Sequence, residues 1–174
     1  MRSGAALVAT VLLAPGCAST VQKSEESAPA SVGPGTGKTV VLELTGSATS
    51  TDSKDWGDFK DLWRDPCAHE AALAGDRFVM QDREPVPMGA EGTQVTVDVA
   101  DYRYVSTGAR VMLGVMTGNA YINAHVTFSD LKSGAVRATK TYDTTSSAWG
   151  GVFSGMTTKQ VTAMCHEIFV DLAK

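Results

Sequence analysis

Two dipeptides place an imidazole beside a carboxylate, His69-Glu70 and His166-Glu167, and each lies close to a cysteine, Cys67 and Cys165. Thiolate and imidazole are zinc ligands, and a glutamate beside a helical histidine is the general base of zinc proteases. Neither dipeptide has the second histidine that such a protease site requires. A zinc ion held by Cys67, His69, Cys165 and His166 is disfavoured too, because adjacent side chains on a helix point about 100° apart and cannot readily share one tetrahedral ion. Gly33-Pro-Gly-Thr-Gly-Lys-Thr39 carries the lysine and threonine of a phosphate-binding loop. That loop needs glycine where Val32 stands and a helix after it, whereas a strand pattern follows from Thr39 to Leu44. Gly150-Gly-Val-Phe-Ser-Gly155 holds Ser154 out of place for a GxSxG nucleophile elbow. His125 falls on the polar parity of a strand, among Asn123, Thr127 and Thr139, where a solvated histidine is expected. No catalytic residue, metal ligand, nucleotide site or cofactor is assigned. An uncharacterised hydrolase or a thiol enzyme, centred on His125 or on Cys67 near a helix start, is the alternative from a different class.

These residues depend on the elements that hold them. From Asn119 to Thr145 the chain reads as a hairpin: Ala120, Ile122, Ala124, Val126 and Phe128 alternate with polar residues, and Asp130-Leu-Lys-Ser-Gly134 turns the chain. Asp130 is expected to bond its own backbone and Gly134 to take a positive φ. The simplest register pairs Ser129 with Ala135, Phe128 with Val136 and Val126 with Ala138. Val40, Leu42 and Leu44 define an earlier strand, Phe78 to Gln81 a brief one and Gln94 to Val105 a longer one. In the longer strand Val95, Val97 and Val99 face inward while Tyr102 and Tyr104 have the opposite parity, which predicts a bulge near Ala100 or a strand covered on both sides. Trp56, Phe59 and Trp63 mark one helical face over Asp55 to Asp65; Asp65-Pro66 is read as a restart, followed by a second helical piece ending at Gly75. A last helix is expected to open with a Thr157/Gln160 capping box and to bury Val161, Met164, Cys165, Ile168 and Leu172. Strand, helix, two strands, hairpin and helix make an α+β, two-layer sandwich: a mostly antiparallel or mixed sheet of about five strands with two helices.

The chain of 174 residues is long enough for one such domain with extensions, and a formal charge of -4 gives no basic footprint for nucleic acid. Arg2 precedes an apolar run from Ala5 to Leu13, too short to span a membrane and suited to the core of a secretory signal. Ala14-Pro-Gly-Cys17 follows and resembles a bacterial lipobox, in which the cysteine is lipidated on sulfur and becomes the mature N-terminus. Residues 1–16 are therefore read as a lipoprotein signal peptide, 17–37 as lipidated Cys17 and a flexible Ser/Ala/Pro/Gly/Glu tether, and 38–174 as one globular domain. Ala18 after the cysteine resembles lipoproteins sent to the outer membrane, facing the periplasm.

With Cys17 modified, Cys67 and Cys165 remain as an even pair in an oxidising compartment. Each lies on a predicted helix, which favours a disulfide between helices over two buried thiols. The lipobox, the tether, Gly108-Ala-Arg110, Gly114 and Gly118, Asp130-Leu-Lys-Ser-Gly134 and the closing helix resemble the bacterial lipoprotein family catalogued as domain of unknown function 4410. That resemblance implies an envelope lipoprotein without established catalytic residues. Two glycine-rich stretches flank the hairpin and should meet at one end of the sheet, opposite Lys132. Met112, Leu113, Met116, Trp149, Val152, Phe153 and Met156 could there form an adaptable apolar surface, or simply cap the core. The expected role is binding, with another envelope protein or an apolar ligand as the partner.

Overall fold

The computed structural model describes residues 20–25, 38–104, 120–145 and 155–173. In chain order these form β1 (Thr20–Glu25), β2 (Thr39–Gly46), α1 (Ala48–Thr51), α2 (Trp56–Ala74), β3 (Arg77–Met80), β4 (Gly92–Arg103), β5 (Tyr121–Asp130), β6 (Val136–Thr145) and α3 (Met156–Leu172). One six-stranded sheet has the order β1-β6-β5-β4-β2-β3. Strand β2 runs parallel to both β3 and β4, while the β4-β5-β6-β1 half is antiparallel. The expected α+β architecture with a mixed sheet is present, with one strand and one short helix more than the sequence suggested.

The additional strand is β1. Within the stretch expected to be a flexible tether, Thr20–Glu25 pair with β6 from Thr20↔Thr145 to Glu25↔Lys140. The segment has little apolar surface, so hydrophobic burial alone does not account for its ordering. An unpaired edge on β6 supplies ladder hydrogen bonds, Val21 packs against the core, and Lys23 finds carboxylates on α3. Composition reports the apolar content and is blind to the open edge and to the carboxylates.

Helices α2 and α3 lie against the sheet and bury Phe59, Trp63, Cys67 and Ala71 from the one and Val161, Met164, Cys165, Ile168 and Leu172 from the other. Helix α2 does not break at Asp65-Pro66; it is continuous, with Pro66 inside it. An interior proline costs roughly 3 kcal/mol through a lost hydrogen bond and a steric clash. Phe59, Trp63, Cys67 and Ala71 repeat every four residues, and fully burying one large apolar side chain returns about 1.5–3 kcal/mol. Several burials on one stripe outweigh one proline. The helix ends at Gly75, whose φ of 77° is the left-handed cap expected there.

Strand β4 carries the anticipated bulge: the register shifts between Val99 and Asp101, leaving Ala100 over. Val95, Val97 and Val99 therefore share a face with Tyr102, which stacks on Phe59 at 4.2 Å between ring centroids. Gly92 opens the strand at φ 154°, where a Cβ would stand 1.8 Å from the Thr39 carbonyl oxygen, so no larger residue fits without moving β2.

The hairpin differs from the simplest register. Phe128 pairs with Ala138 and Val126 with Lys140, while Ser129 pairs with Val136 and leaves Arg137 as a bulge. The turn causes the slip. Asp130 Oδ1 accepts from the Lys132 and Ser133 amides, Gly134 N–H donates to the Asp130 carbonyl, and Arg137 reaches back to Asp130 Oδ2. These bonds use Leu131 to Gly134 as a wider loop, closed by Asp130 N–H on the Ala135 carbonyl. Val136 consequently points outward, 63 % exposed, and Ala138, Lys140, Tyr142 and Thr144 take the inner face.

Helix α3 has no capping box. Its cap is Gly155, without a side-chain bond, and Thr157 already lies inside the helix. Gln160, fully buried, instead donates its amide to the Ala120 carbonyl at 2.6 Å. A buried carbonyl at the mouth of β5 needs a donor, and that need outranks the local cap.

Candidate functional site

The clearest constellation outside the apolar core joins the first described strand to the last helix. Along the inner face of β1, Val21 is followed two residues later by Lys23; along β6, Lys140 and Tyr142 point the same way. Asp171, on the last turn of α3, is 5 % exposed and faces them. Tyr142 donates its hydroxyl to Asp171 Oδ2 at 2.6 Å, Lys140 Nζ lies 3.1 Å from Oδ1, and Lys23 Nζ lies 3.3 Å from Oδ2. Lys23 also meets Glu167 Oε2 at 2.6 Å. Among the described side chains two ammonium groups meet two carboxylates, and the buried pair, Lys140 and Asp171, is opposite in sign, which offsets the several kcal/mol that a lone buried charge costs.

Burial tends to lower the Lys23 pKa, but its hydrogen bond to Glu167 and the Asp171 charge prevail and hold it above the ordinary lysine value. A lysine pushed further toward its cationic form is a poor proton donor or nucleophile near neutral pH. The group's chemistry is that of a clamp: it fixes β1 to α3. Sequence reading treated Lys140 only as an interruption and passed over Asp171. The available signal was the pairing of the two anomalies, a lysine on an inward strand parity and an aspartate three residues after Ile168 on an apolar helical stripe.

Cys67 and Cys165 are joined as expected. Their disulfide ties α2 to α3 across a Cα–Cα distance of 5.0 Å. Both thiolates are thereby consumed, which removes Cys67 as a nucleophile in this state and closes the Cys67/Cys165 zinc alternative. His166 Nδ1 lies 3.2 Å from Glu70 Oε2 on the exposed side of the same helix pair. His69 is exposed, and His125 Nδ1 contacts Thr141 Oγ1 at 3.1 Å on the outer sheet face, one pair along from the expected Thr139 because of the hairpin slip. Among the described residues, no group of three or more His, Cys, Asp or Glu side chains is arranged to hold a metal ion.

Cys17 lies outside the described residues, as do Met112, Leu113, Met116, Trp149, Val152 and Phe153; Met156 begins α3, and its side chain is likewise not described. The topology nonetheless fixes where their connections attach. Arg103 pairs with Tyr121, Tyr121 with Thr145 and Thr145 with Thr20, so four chain ends share one transverse row. Beside this row an open cleft of about 310 Å³ is lined by Thr49, Asp55, Tyr102, Arg103 and Tyr104, among others. The opposite end of the sheet holds a second open cleft of about 270 Å³ between Lys38, Glu91, Asp130, Lys132 and Arg137. Its charges are largely paired with one another, Lys132 with Glu91 and Arg137 with Asp130. Backbone and side-chain hydrogen bonds from Ser133, and then Arg137, hold the Asp130 carboxyl down to about 2.

Comparison with family models and with curated protein sequences finds no match, so the resemblance to the 4410 family is not carried by a family model. Solved structures do match in fold. A dodecameric PelC variant from Paraburkholderia phytofirmans superposes with a TM-score of 0.51 at 18 % identity, over 90 % of this chain and 98 % of that one. A Xanthomonas campestris protein placed in domain of unknown function family 330 gives a TM-score of 0.51 at 8 % identity, over 79 % of this chain and 84 % of that one. At such identities the likeness is one of fold: the chain shares its α+β architecture with bacterial proteins of those two kinds.

Proposed function

We propose that the chain is a lipid-anchored, periplasm-facing lipoprotein of the cell envelope, carried by Cys17 on the outer membrane, that acts by binding rather than by catalysis. The observation that carries the compartment is the Cys67–Cys165 disulfide, a crosslink that persists in oxidising compartments and is rare in the reducing cytosol. It agrees with the apolar run and the Ala14-Pro-Gly-Cys17 sequence that precede the domain. What supports binding is the row of strand ends Arg103, Tyr121 and Thr145 on a disulfide-stapled two-layer platform, to which the stretches bearing Met112, Leu113, Met116, Trp149, Val152 and Phe153 attach; that surface would meet an apolar ligand or an envelope protein.

Anchoring is tested by fractionating cells that make the wild type or Cys17→Ala. The variant is expected to leave the membrane fraction for the soluble periplasm or to stay unprocessed; unchanged membrane association would sink the reading. Crosslinking in intact cells, compared between wild type and a Trp149→Ser, Phe153→Ser variant with an unshifted unfolding midpoint, tests the binding surface. Loss of the crosslinked partner is expected, and full recovery excludes that surface.

A further inference from the structure

The pairing of β1 sets how the domain is presented to a membrane. Thr20 stands in the row formed with Thr145, Tyr121 and Arg103. Cys17 precedes Thr20 by three residues, and three residues of extended chain span at most about 10 Å. Length cannot be drawn from β1 to extend this leash, because β1 is registered on β6 residue by residue and Lys23 is held by Glu167 and Asp171. The residues on this end suit an interface between water and lipid. Tyr104 and Tyr121 are half-buried, and Tyr121 donates its hydroxyl to Asp101. Tyrosine places an apolar ring and a polar tip at the headgroup level. The far end of the sheet lies a full strand away, about 33 Å for the ten residues of β5, and carries Lys38, Glu91, Asp130 and Lys132.

We infer that the sheet end bearing Arg103, Tyr121 and Thr145 faces the membrane at close range, with the strands standing toward the periplasm and the Asp130–Ala135 turn outermost. This rests on the lipidation of Cys17 proposed above. It turns a domain expected to move on a tether of some twenty residues into one held near the headgroups in a fixed orientation, where any partner met at that end is met at the membrane surface.

The mature lipidated chain is free of other thiols, since Cys17 is acylated and Cys67 pairs with Cys165, so one introduced cysteine can be labelled specifically. Thr49→Cys and Thr145→Cys, both exposed, report the near end, and Lys132→Cys the far end. Each full-length lipidated variant, labelled with an environment-sensitive fluorophore, is reconstituted into phosphatidylethanolamine/phosphatidylglycerol vesicles containing headgroup-nitroxide lipid. Flotation with the vesicles, lost in Cys17→Ala, is scored first. Among floating samples, quenching at Thr49→Cys and Thr145→Cys is expected to exceed that at Lys132→Cys several-fold. Equal or reversed quenching overturns the orientation while leaving the anchor intact; failure of the wild type to float overturns the anchor and the orientation with it. Two near positions guard against one variant folding poorly.

Discussion

Phe128 and Val136 show how much rests on a single pairing. Both have the composition of core residues, yet Phe128 is 1 % exposed and Val136 is 63 % exposed because Arg137 bulges between them. Phe128→Ala should cost about 3–5 kcal/mol through lost burial and a cavity, and Val136→Ala no more than about 0.5 kcal/mol. Denaturant unfolding of the two variants checks this, and comparable costs would restore the simpler register. Alternation along β5 was legible in the sequence because each residue there has one inward or outward choice. The return strand was not, because the bulge is set by Asp130 hydrogen bonds to backbone amides, which leave no trace in hydropathy. Asp171 is the polar counterpart. Asp171→Ala takes one carboxylate from the buried Lys140 ammonium and from the Tyr142 hydroxyl, and losing one partner of a buried pair costs up to about 3–5 kcal/mol. Calorimetry of that variant should show the loss at neutral pH. The wild type should also soften in alkali: the Lys23 pKa is raised in the folded state, so its contribution is complete below the ordinary lysine value and disappears as pH climbs through the raised one. Stability independent of pH in that window would contradict the clamp.

At the scale of elements, α2 was read as two pieces and is one. The sequence showed both the aromatic stripe and the proline, but only the packed structure weighs them against each other. Pro66→Ala removes the clash and restores an amide donor for the Leu62 carbonyl, so it should raise stability by about 1–3 kcal/mol, net of the freedom that proline takes from the unfolded chain. A fall on thermal unfolding would mean that the half-buried ring packs better than alanine can. The bulge in β4 was readable for the opposite reason: Val99 and Tyr102 are large enough to make a change of parity visible. Strand β1 was hidden, since its six residues resemble any polar linker and its partners come from the far end of the chain. Likewise, the Gln160 amide serves Ala120 on another strand, a link that a local capping rule cannot foresee.

For the whole molecule, the disulfide is a covalent bond between distant parts of the described chain, closing Cys67 on Cys165 with a separation of 98 residues. In the chain-entropy model its reduction should lower stability by about 4–5 kcal/mol. Non-reducing electrophoresis of the isolated domain, residues 38–174, should show faster migration than after reduction, and its thiol labelling without reduction should be near zero; full labelling of both cysteines would leave only free thiols. The fold class was legible from the sequence because burial periodicities add up over many residues, whereas the charged cluster on β1, β6 and α3 depends on a few. The pairing of β1 with β6 also imposes a schedule on the chain. During synthesis the first described strand emerges with no edge to bind, since Thr145 and its neighbours are made long after it, and Asp171, which latches it, comes later still. Contacts between segments so far apart in sequence are slow to form. The described sheet cannot be completed until β6 and α3 have been made, so a growing chain keeps its first segment open and threadable until both have followed.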